Sequence, residues 1–336
     1  MRTYLLRRFL LVIPTLLGIT LITFAIIRLA PGEPAALGGS MALDGAGGPG
    51  KEALGASQEI LRAKKELLGL DKPIWEQYAG WVWKMIRFDF GDSWSHHRPV
   101  SELILVHIGP TLQINILTIL VIYALSIPLG TMQAVWRGGV FDRSSTVGTF
   151  LLYAAPLYWV GPLMIVYLCN PEHFDWFPPG ELNGQFPEQL AYFPWLGDRM
   201  YHLILPVFCQ TYGGFAYLSK QSRAGLLENL RADYVRTALA KGVSPMTAIV
   251  RHALRNSLIP IVTIMATLLP ALMSGSVILE SIFSIRGMGY LAFSAILQRD
   301  YPVIMATATI AAVLTLVGLM IQDVLYAWLD PRVSYD

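Results

Sequence analysis

A series of long apolar stretches constrains the fold of this 336-residue chain more than any other feature of its sequence. Six stretches are long enough to cross a hydrocarbon core of roughly 30 Å, because a helix rises about 1.5 Å per residue. The fourth is the weakest, since it is short and is interrupted by Pro206 and the Gly213-Gly214 pair. The stretches cover approximately 9–30, 108–136, 144–168, 203–222, 257–283 and 303–328. The pattern predicts an all-α polytopic membrane protein with six transmembrane helices.

The composition supports this class of protein. Hydrophobic residues make up 54% of the chain and charged residues only 14%, whereas soluble domains carry about 25% charged residues. The formal net charge of +2 does not indicate a nucleic-acid partner, and the two cysteines give neither a disulfide framework nor a clustered metal spacing. The first apolar stretch is longer than the core of a typical signal peptide, and we interpret it as a retained anchor.

The distribution of lysine and arginine predicts the orientation in the membrane. If the amino terminus lies in the cytoplasm, six spans return the carboxyl terminus to the same side. The cytoplasmic segments then hold thirteen lysines and arginines, whereas the two short outer loops hold three, Arg199, Arg286 and Arg299. Cytoplasmic loops of membrane proteins carry this excess of positive charge. The outer segment 31–107 is long enough to be largely exempt from the rule.

The sequence of the outer segment 31–107 predicts helical structure rather than a plain linker. After a glycine-rich part at 38–50, one amphipathic helix is expected from Ser57 to Gly69 and a second from Trp75 to Ile86. The second helix suits either the bilayer interface or a small cap packed on the spans. The chain therefore divides into an amino-terminal tail with the first span (1–30), the outer segment (31–107) and a transmembrane core (108–336).

A long polar loop, residues 223–256, separates the fourth and fifth spans on the predicted cytoplasmic side. No proline or glycine occurs from Leu226 to Ala240, which predicts one continuous helix there. Gly242 stands where a left-handed carboxyl cap is needed. Ser244 is expected to cap a second helix, with Pro245 at its first position, where the missing N–H costs nothing.

The second helix of this loop is expected to be amphipathic. Thr247, Arg251 and Arg255 fall on one face, and the apolar stripe on another face comprises Met246, Ile249, Val250, Ala253, Leu254 and Leu258. Two interpretations remain open from the residues alone. The loop is either a surface hairpin whose stripe rests on the membrane, or a coupling element inserted into a cytoplasmic partner.

The segment DYVRTALAKGVSPMTAIVRHALRNSLIP (233–260) resembles the cytoplasmic signature loop of ATP-binding-cassette importer permeases. Gly242, Ala238 and Leu254 match the general pattern of that loop. The positions that depart from it, Arg236, Thr237, His252 and Arg255, resemble the dipeptide/oligopeptide branch. Further stretches resemble the same branch in family order: RRFLLVIPTLLGITLITFAIIRLAPGEP (7–34), LGLDKPIWEQY (68–78), FGDSW (90–94), ESIFSIRGMG (280–289), RDYPV (299–303) and DPR (330–332).

This resemblance implies a MetI-like importer permease fold and a transport subunit without enzymatic activity or cofactor. The implied partners are a second homologous permease, two cytoplasmic ATPase subunits, an external substrate-binding protein and membrane lipid. The implied cargo is short peptides, with non-peptide solutes such as nickel chelates as the alternative. The implied location is the bacterial inner membrane, with both termini cytoplasmic. The residues expected to contact the ATPase are Asp233, Tyr234, Arg236, Ala238, Gly242, His252, Arg255 and Asn256.

Polar residues within the spans are candidates for the translocation path, because such residues usually face protein or water. Each of them can line a path or satisfy a neighbouring helix. Prolines at 128, 156, 162, 206 and 270 are expected to kink or unwind the spans. The candidate path residues are Gln113, Asn115, Gln210, Thr211 and Glu280.

Other classes of protein receive little support from the sequence. The chain has no HExxH zinc motif, no GxSxG nucleophile turn and no Walker loop, so an enzyme is disfavoured. The adjacent His96 and His97 are interpreted as solvated loop residues rather than as metal ligands. An ion-coupled secondary transporter would be favoured by paired buried carboxylates or an inverted repeat, and the sequence indicates neither.

Overall fold

The computed structural model describes residues 2–29, 66, 71–184, 189–258, 261, 264, 272 and 275–329. Within these residues the regular structure is helical, apart from an isolated antiparallel bridge between Asp92 and Pro99. The α-helices are α1 (Arg2–Leu29), α2 (Ile74–Ile86), α3 (Val100–Val135), α4 (Val140–Ala154), α5 (Leu157–Leu168), α6 (Tyr192–Asn229), α7 (Asp233–Ala240), α8 (Pro245–Thr247), α9 (Leu254–Ser257), α10 (Val277–Ile282), α11 (Met288–Gln298) and α12 (Tyr301–Leu329). A π-helical turn, π1 (Ala248–Ala253), joins α8 to α9.

Three described helices are long and apolar enough to cross a membrane, at Leu10–Leu29, Val100–Val135 and Tyr301–Ile321. They correspond to the first, second and sixth predicted stretches. The α4 and α5 pair makes a fourth if the two helices count as one span. Most of the fifth predicted stretch, 257–283, lies outside the described residues. The described part of the chain therefore supports three or four spans, and the number six stays a prediction.

The third predicted stretch, 144–168, is broken rather than continuous. Its two halves, α4 and α5, meet at an angle of 96° around Ala155 and Pro156. Pro156 lacks a backbone N–H and disfavours the α conformation of the residue before it, so Ala155 is extended. The Tyr212 hydroxyl donates a hydrogen bond of 2.8 Å to the Ala155 carbonyl, which satisfies a group that the break leaves without its helical partner.

The fourth predicted stretch shows the opposite behaviour. Helix α6 continues for 38 residues through Pro206 and both glycines, so the expected interruption is wrong. Pro206 and its neighbours Leu205 and Val207 are all buried, and packing on both sides keeps the helix intact. Helices α3 and α5 also continue through Pro128 and Pro162, whereas residue 270 lies outside the described residues.

The chain divides into two compact units, Met1–Gly109 with Met288–Leu316, and Pro110–Gly287 with Val317–Asp336. In the first unit, the start of α3 packs with α11 and α12. Its core consists of Val100, Leu103, Ile104, Met288, Leu291, Ala295, Val303 and Ala306. The segments 1–30, 31–107 and 108–336 are defined by membrane side and stay a prediction.

Three stretches that carry the family resemblance meet in the first unit. Ser93 of FGDSW donates a hydrogen bond of 2.5 Å from its hydroxyl to Oδ2 of Asp300 in RDYPV, and the Ser95 N–H donates to the same oxygen at 3.0 Å. The Arg28 guanidinium lies 5.2 Å from the centre of the Tyr301 ring. Because Asp300 is buried, these donors satisfy a carboxylate that water does not reach.

Helix α2 has one aromatic contact with α1 and several exposed aromatic rings. The Tyr78 ring lies 5.4 Å from that of Phe24, and its hydroxyl lies 3.0 Å from the Thr20 hydroxyl. Trp75 and Trp83 are exposed. The helix therefore combines packing on a span with an open aromatic face, and the two interpretations of this amphipathic segment stay predictions. The helix predicted from Ser57 to Gly69 lies outside the described residues, except for residue 66.

Two buried clusters lie in the described part of the second unit. The larger one joins α3, α5, α6 and α10 around Ile114, Leu203, Leu279, Phe283 and Ile285. Cys169 and Cys209 are buried in it as free thiols. The smaller cluster lies beneath the polar loop and fixes its position, as described below.

Candidate functional site

The loop between α6 and the fifth predicted span forms a helical hairpin. We call residues 233–257 the coupling hairpin; it comprises α7, a tight turn, α8, π1 and α9. At the end of α7, the Gly242 N–H donates to the Leu239 carbonyl (3.0 Å) and the Val243 N–H donates to the Ala238 carbonyl (3.2 Å). This is the Schellman pattern, and Gly242 has the φ of +84° that the pattern requires. The predicted left-handed cap is confirmed.

The second arm of the hairpin begins as the sequence predicts. The Ser244 hydroxyl accepts a hydrogen bond from the Thr247 N–H at 3.4 Å, and Pro245 occupies the first helical position. Two caps therefore follow each other within four residues, one closing α7 and one opening α8. Because each cap satisfies backbone groups that would otherwise lack partners, the turn between the arms has a defined conformation.

The predicted apolar stripe of the second arm is only partly correct. The buried residues are Ala248, Ala253 and Ser257, whereas Met246 is 66% and Val250 50% exposed. The π-helical turn is the reason, because its hydrogen bonds skip one more residue than those of an α-helix and so rotate the buried face. No proline or glycine occurs in this turn to signal the change.

The hairpin rests on a small cluster that also includes two longer helices. Its buried members are Ala134 of α3, Leu226 of α6, Val235 of α7, and Ala248 and Ala253 of π1. Leu226 and Ala253 are completely buried. The apolar side of the hairpin is therefore attached to the ends of α3 and α6. This arrangement fixes the hairpin to the helix bundle.

The first arm differs from the prediction in one respect. The expected continuous helix from Leu226 to Ala240 is interrupted, because α6 ends at Asn229 and Ala232 is extended before α7 begins. The interruption lets Leu226 and Val235 enter the same cluster. The Tyr234 hydroxyl donates a hydrogen bond of 2.6 Å to Asn229 Oδ1, and this bond connects α7 to the end of α6. Tertiary packing thus overrides a favourable helix propensity.

Most residues expected to contact an ATPase lie on the open side of the hairpin. Ala238 and His252 are half-buried. Arg236 and Asp233 are exposed and lie 3.8 Å apart, an ion pair of the kind that contributes little to stability in water. The exposed members of the predicted set are Asp233, Tyr234, Arg236, Gly242, Arg255 and Asn256.

An ion pair between the buried Asp142 and the half-buried Arg223 lies beside the hairpin and was not predicted from the sequence. Arg223 of α6 donates from Nε to Oδ1 and from Nη2 to Oδ2 of Asp142 in α4, both at 2.8 Å. The Gly138 N–H donates to Oδ2 at 2.9 Å. In the sequence, Arg223 is one of the thirteen positive charges of the predicted cytoplasmic segments. The available signal is an acidic residue two positions before the predicted span 144–168.

Two predicted path residues contact each other inside the bundle. Gln210 donates from Nε2 to Asn115 Oδ1 at 2.6 Å, and Asn115 donates from Nδ2 to the Leu272 carbonyl at 2.8 Å. This chain of bonds links α3, α6 and the fifth predicted span. The side-chain oxygen of Gln210, Oε1, is buried and makes no hydrogen bond within the described residues.

Two of the other predicted path residues have hydrogen-bond partners of their own. Gln113 accepts a hydrogen bond from Arg199 Nε at 2.8 Å, and the same guanidinium donates from Nη1 to Asn183 Oδ1 at 3.0 Å. Glu280 is buried and accepts a hydrogen bond of 3.0 Å from the Thr111 hydroxyl. Gln113 and Glu280 therefore have polar partners outside the Asn115–Gln210 contact.

Thr211 lies elsewhere, in the wall of an open cavity with a volume of about 400 Å³. Mostly apolar residues of α3, α4 and α6 line the cavity, among them Leu117, Val121 and Leu125 of α3. The Thr211 hydroxyl is buried and makes no hydrogen bond within the described residues. A hydroxyl without a partner in an apolar wall is costly, which makes Thr211 a candidate contact for a molecule that enters the cavity.

Within the described residues, no group of three His, Cys, Asp or Glu side chains is arranged to hold a metal ion. His96 contacts the Ser93 hydroxyl through Nδ1 at 3.2 Å, and His97 is an exposed loop residue with a φ of +52°.

A known protein family matches more than half of the chain. Residues 126–335 match the model of the binding-protein-dependent transport system inner membrane component. This range includes the end of α3, the coupling hairpin and α12.

Curated relatives match along the whole chain. The oligopeptide transport system permease protein AppB of Bacillus subtilis (strain 168) is 38% identical over 339 residues, covering 100% of both chains. The inner membrane ABC transporter permease protein YejB of Escherichia coli O157:H7 is 34% identical over 362 residues, again covering 100% of both chains. The dipeptide transport system permease protein DppB of Escherichia coli (strain K12) is 32% identical over 351 residues, covering 100% of this chain and 99% of the relative.

These matches agree with helices that are long and apolar enough to cross a membrane. They also exclude an enzyme as the main interpretation, because permease components are transport subunits. The chain belongs to the family of binding-protein-dependent transport system inner membrane components, and it is the membrane-spanning permease subunit of an ATP-binding-cassette importer.

Proposed function

We propose that this permease subunit imports short peptides, working beside a second homologous permease and two cytoplasmic ATPase subunits. The peptide cargo is supported by relatives named as oligopeptide and dipeptide permeases, which match over the full chain. An external binding protein delivers the peptide to the outer mouth of the path. Six spans place both termini in the cytoplasm, in agreement with the excess of lysine and arginine in the inner segments.

The observation that carries this proposal is the two-sided construction of the coupling hairpin. Its apolar side is buried on α3 and α6, while Asp233, Arg236 and Arg255 are exposed on its open side. A surface element whose apolar side is anchored on the helix bundle and whose other side carries exposed charges is suited to bind in a cleft of a partner protein. The charged side chains can pair with opposite charges on the ATPase.

The hairpin then transmits the movement that ATP drives. Closure of the two ATPase subunits displaces the hairpin, and the displacement switches the path between inward and outward opening. A flexible linker would bend under such a displacement, whereas a hairpin with two adjacent caps keeps its shape. The path runs past the polar groups of α3 and α6, namely Gln113, Asn115, Gln210 and Thr211, and past Glu280.

Site-directed crosslinking tests the contact with the ATPase. Arg236→Cys places a thiol on the open side of the hairpin, and Val235→Cys places one in the buried cluster one residue away. In the assembled complex, a short thiol reagent on the ATPase should capture the first variant and not the second. Equal capture of both variants, or of neither, would contradict the proposed contact.

A second experiment tests the turn. Gly242→Val puts a β-branched residue at a φ of +84°, which strains the backbone by about 1–3 kcal/mol. We expect lower peptide-stimulated ATP hydrolysis and lower uptake of a labelled dipeptide in reconstituted vesicles, with normal membrane insertion. Gly242→Asn is the matched control, since asparagine tolerates the left-handed region. If the valine variant couples ATP hydrolysis to dipeptide uptake as well as the asparagine variant does, the turn does not transmit the movement.

A further inference from the structure

We infer that the Asp142–Arg223 pair is a strut that carries displacement of the coupling hairpin into helix α4. This inference rests on the proposed function, because it assumes that an ATPase moves the hairpin. The two residues are positioning residues, since neither needs to touch the peptide. The geometry that supports the inference lies within one compact unit of the chain.

The pair has the geometry of a rigid connection. Two parallel hydrogen bonds of 2.8 Å join the Arg223 guanidinium to the Asp142 carboxylate, which fixes both the distance and the angle between the groups. The Gly138 N–H holds the carboxylate from the loop side at 2.9 Å. Asp142 is only 4% exposed, so water does not replace these bonds easily.

Arg223 is also connected to the hairpin through the end of α6. Leu226 lies one helical turn further along α6 and is completely buried in the cluster beneath the hairpin. Asn229, at the end of the same helix, accepts the hydrogen bond from Tyr234 of α7. A displacement of the hairpin therefore moves the end of α6, and Arg223 with it.

Helix α4 receives the movement at both of its ends. Asp142 attaches its first turn to Arg223, and the Ala155 carbonyl after its last turn accepts the hydrogen bond from Tyr212 of α6. Between these points, Ser145 accepts a hydrogen bond of 3.0 Å from Gln133 of α3. Helix α4 is thus bound to α6 at both ends, and the bend at Pro156 passes any rotation to α5.

Stability alone is a poor explanation of the pair. Asp142 is buried and loses its hydration, whereas the Arg223 side chain stays 31% exposed, and an ion pair with a dehydrated partner gains little net stability. Helices α3 and α6 already touch closely beside it, since a Cβ on Gly130 would lie 2.5 Å from the Ser219 carbonyl oxygen. The two parallel hydrogen bonds between Arg223 and Asp142 add a fixed orientation of α4 relative to α6.

The test measures how many peptides are imported per ATP hydrolysed by the complete complex in vesicles. Asp142→Asn keeps the volume but removes the charge, and Arg223→Gln removes the other half of the pair. We expect each to lower the ratio by roughly two- to thirtyfold, the range that corresponds to the coupling energies of residues that link two sites. Thermal unfolding of each complex is recorded in parallel, and Ser144→Ala, on the exposed face of α4, is the matched control.

A covalent link between the two positions distinguishes a loss of transmission from a loss of structure. In the variant Asp142→Cys with Arg223→Cys, a short bifunctional thiosulfonate restores the connection, whereas reduction removes it again. We expect the transport ratio to recover on linking and to fall on reduction, in the same protein sample. A ratio that is the same in the linked and reduced states would overturn the inference, even if Asp142→Asn fails to assemble.

The same preparation distinguishes this inference from the proposed function. If the ATPase does not bind the hairpin of the unmodified protein, the proposed function fails. If it binds and hydrolyses ATP, but Asp142→Asn imports as many peptides per ATP as the unmodified protein, only the strut is wrong.

Discussion

The two ends of the α3–α6 pair are packed very differently. Near the coupling hairpin the helices touch backbone to backbone, because Gly130 leaves no room for a side chain against Ser219. Further along the same helices, Leu117 and Leu125 line an open cavity of about 400 Å³ together with Leu203 and Phe208. One helix pair thus contains both a tight crossing and a loosely packed space.

This difference indicates which part of the pair can move. Close backbone contact resists separation, so α3 and α6 move together where they cross near the hairpin. The cavity has room for a molecule or for rearranged side chains. A rotation about the crossing changes the shape of the cavity more than the shape of the crossing, and the hairpin is attached on the rigid side.

The largest effect is expected from filling the tight crossing. Gly130→Ala places a Cβ 2.5 Å from the Ser219 carbonyl oxygen and 2.9 Å from the Arg223 nitrogen, and both are backbone atoms that cannot rotate away. We expect the complex to lose about 1–3 kcal/mol of stability, measured by thermal unfolding. Gly148→Ala is the matched control, because its Cβ meets nothing within 4 Å. Equal stability of the two variants would mean that the crossing is not tight.

A smaller effect is expected at the polar contact between Asn115 and Gln210. Asn115→Leu removes the bonds to Gln210 and to the Leu272 carbonyl and leaves the Gln210 amide without its acceptor. We expect a loss of about 1–2 kcal/mol in unfolding free energy, since hydrogen bonds between membrane helices average somewhat under 1 kcal/mol each. Gln113→Leu, at an exposed position, should cost less. The reverse order would show that Asn115 does not link the helices.

The smallest effect, and one of opposite sign, is expected in the cavity wall. Thr211→Val replaces a buried hydroxyl that has no partner within the described residues, and we expect up to about 1 kcal/mol of added stability. In the control Thr149→Val, the lost hydroxyl donates to the Thr146 carbonyl at 3.0 Å, so no gain is expected. A loss of stability in Thr211→Val would show that its hydroxyl does find a partner.

The sequence predicted best the features that depend on a few neighbouring residues. The cap at Gly242 and the helix start at Ser244 and Pro245 are local, because each is decided by backbone conformation and by one or two hydrogen bonds. The family resemblance predicted the transport class, since the matching stretches extend over nearly the whole chain. The individual contacts of the candidate ATPase and path residues stay predictions.

The features that the sequence did not predict depend on contacts between distant residues. The interruption before α7 and the π-helical turn both bring residues into the cluster around Leu226, which local propensity does not describe. The Asp142–Arg223 pair joins residues 81 positions apart. Proline was an unreliable guide for the same reason: Pro156 lies at the break between two helices, whereas Pro206 lies inside one that buried neighbours keep intact.

The hydrogen bonds from Ser93 and Ser95 to Asp300 have a consequence for biosynthesis. The acceptor follows Ser93 by 207 positions, so the ribosome must make most of the chain before this contact can form. At about 5–20 residues per second, the wait is roughly 10–40 s. During that time the FGDSW stretch lacks the carboxylate that it binds in the finished protein. A residue made just before the last helix therefore completes a segment near the beginning of the protein.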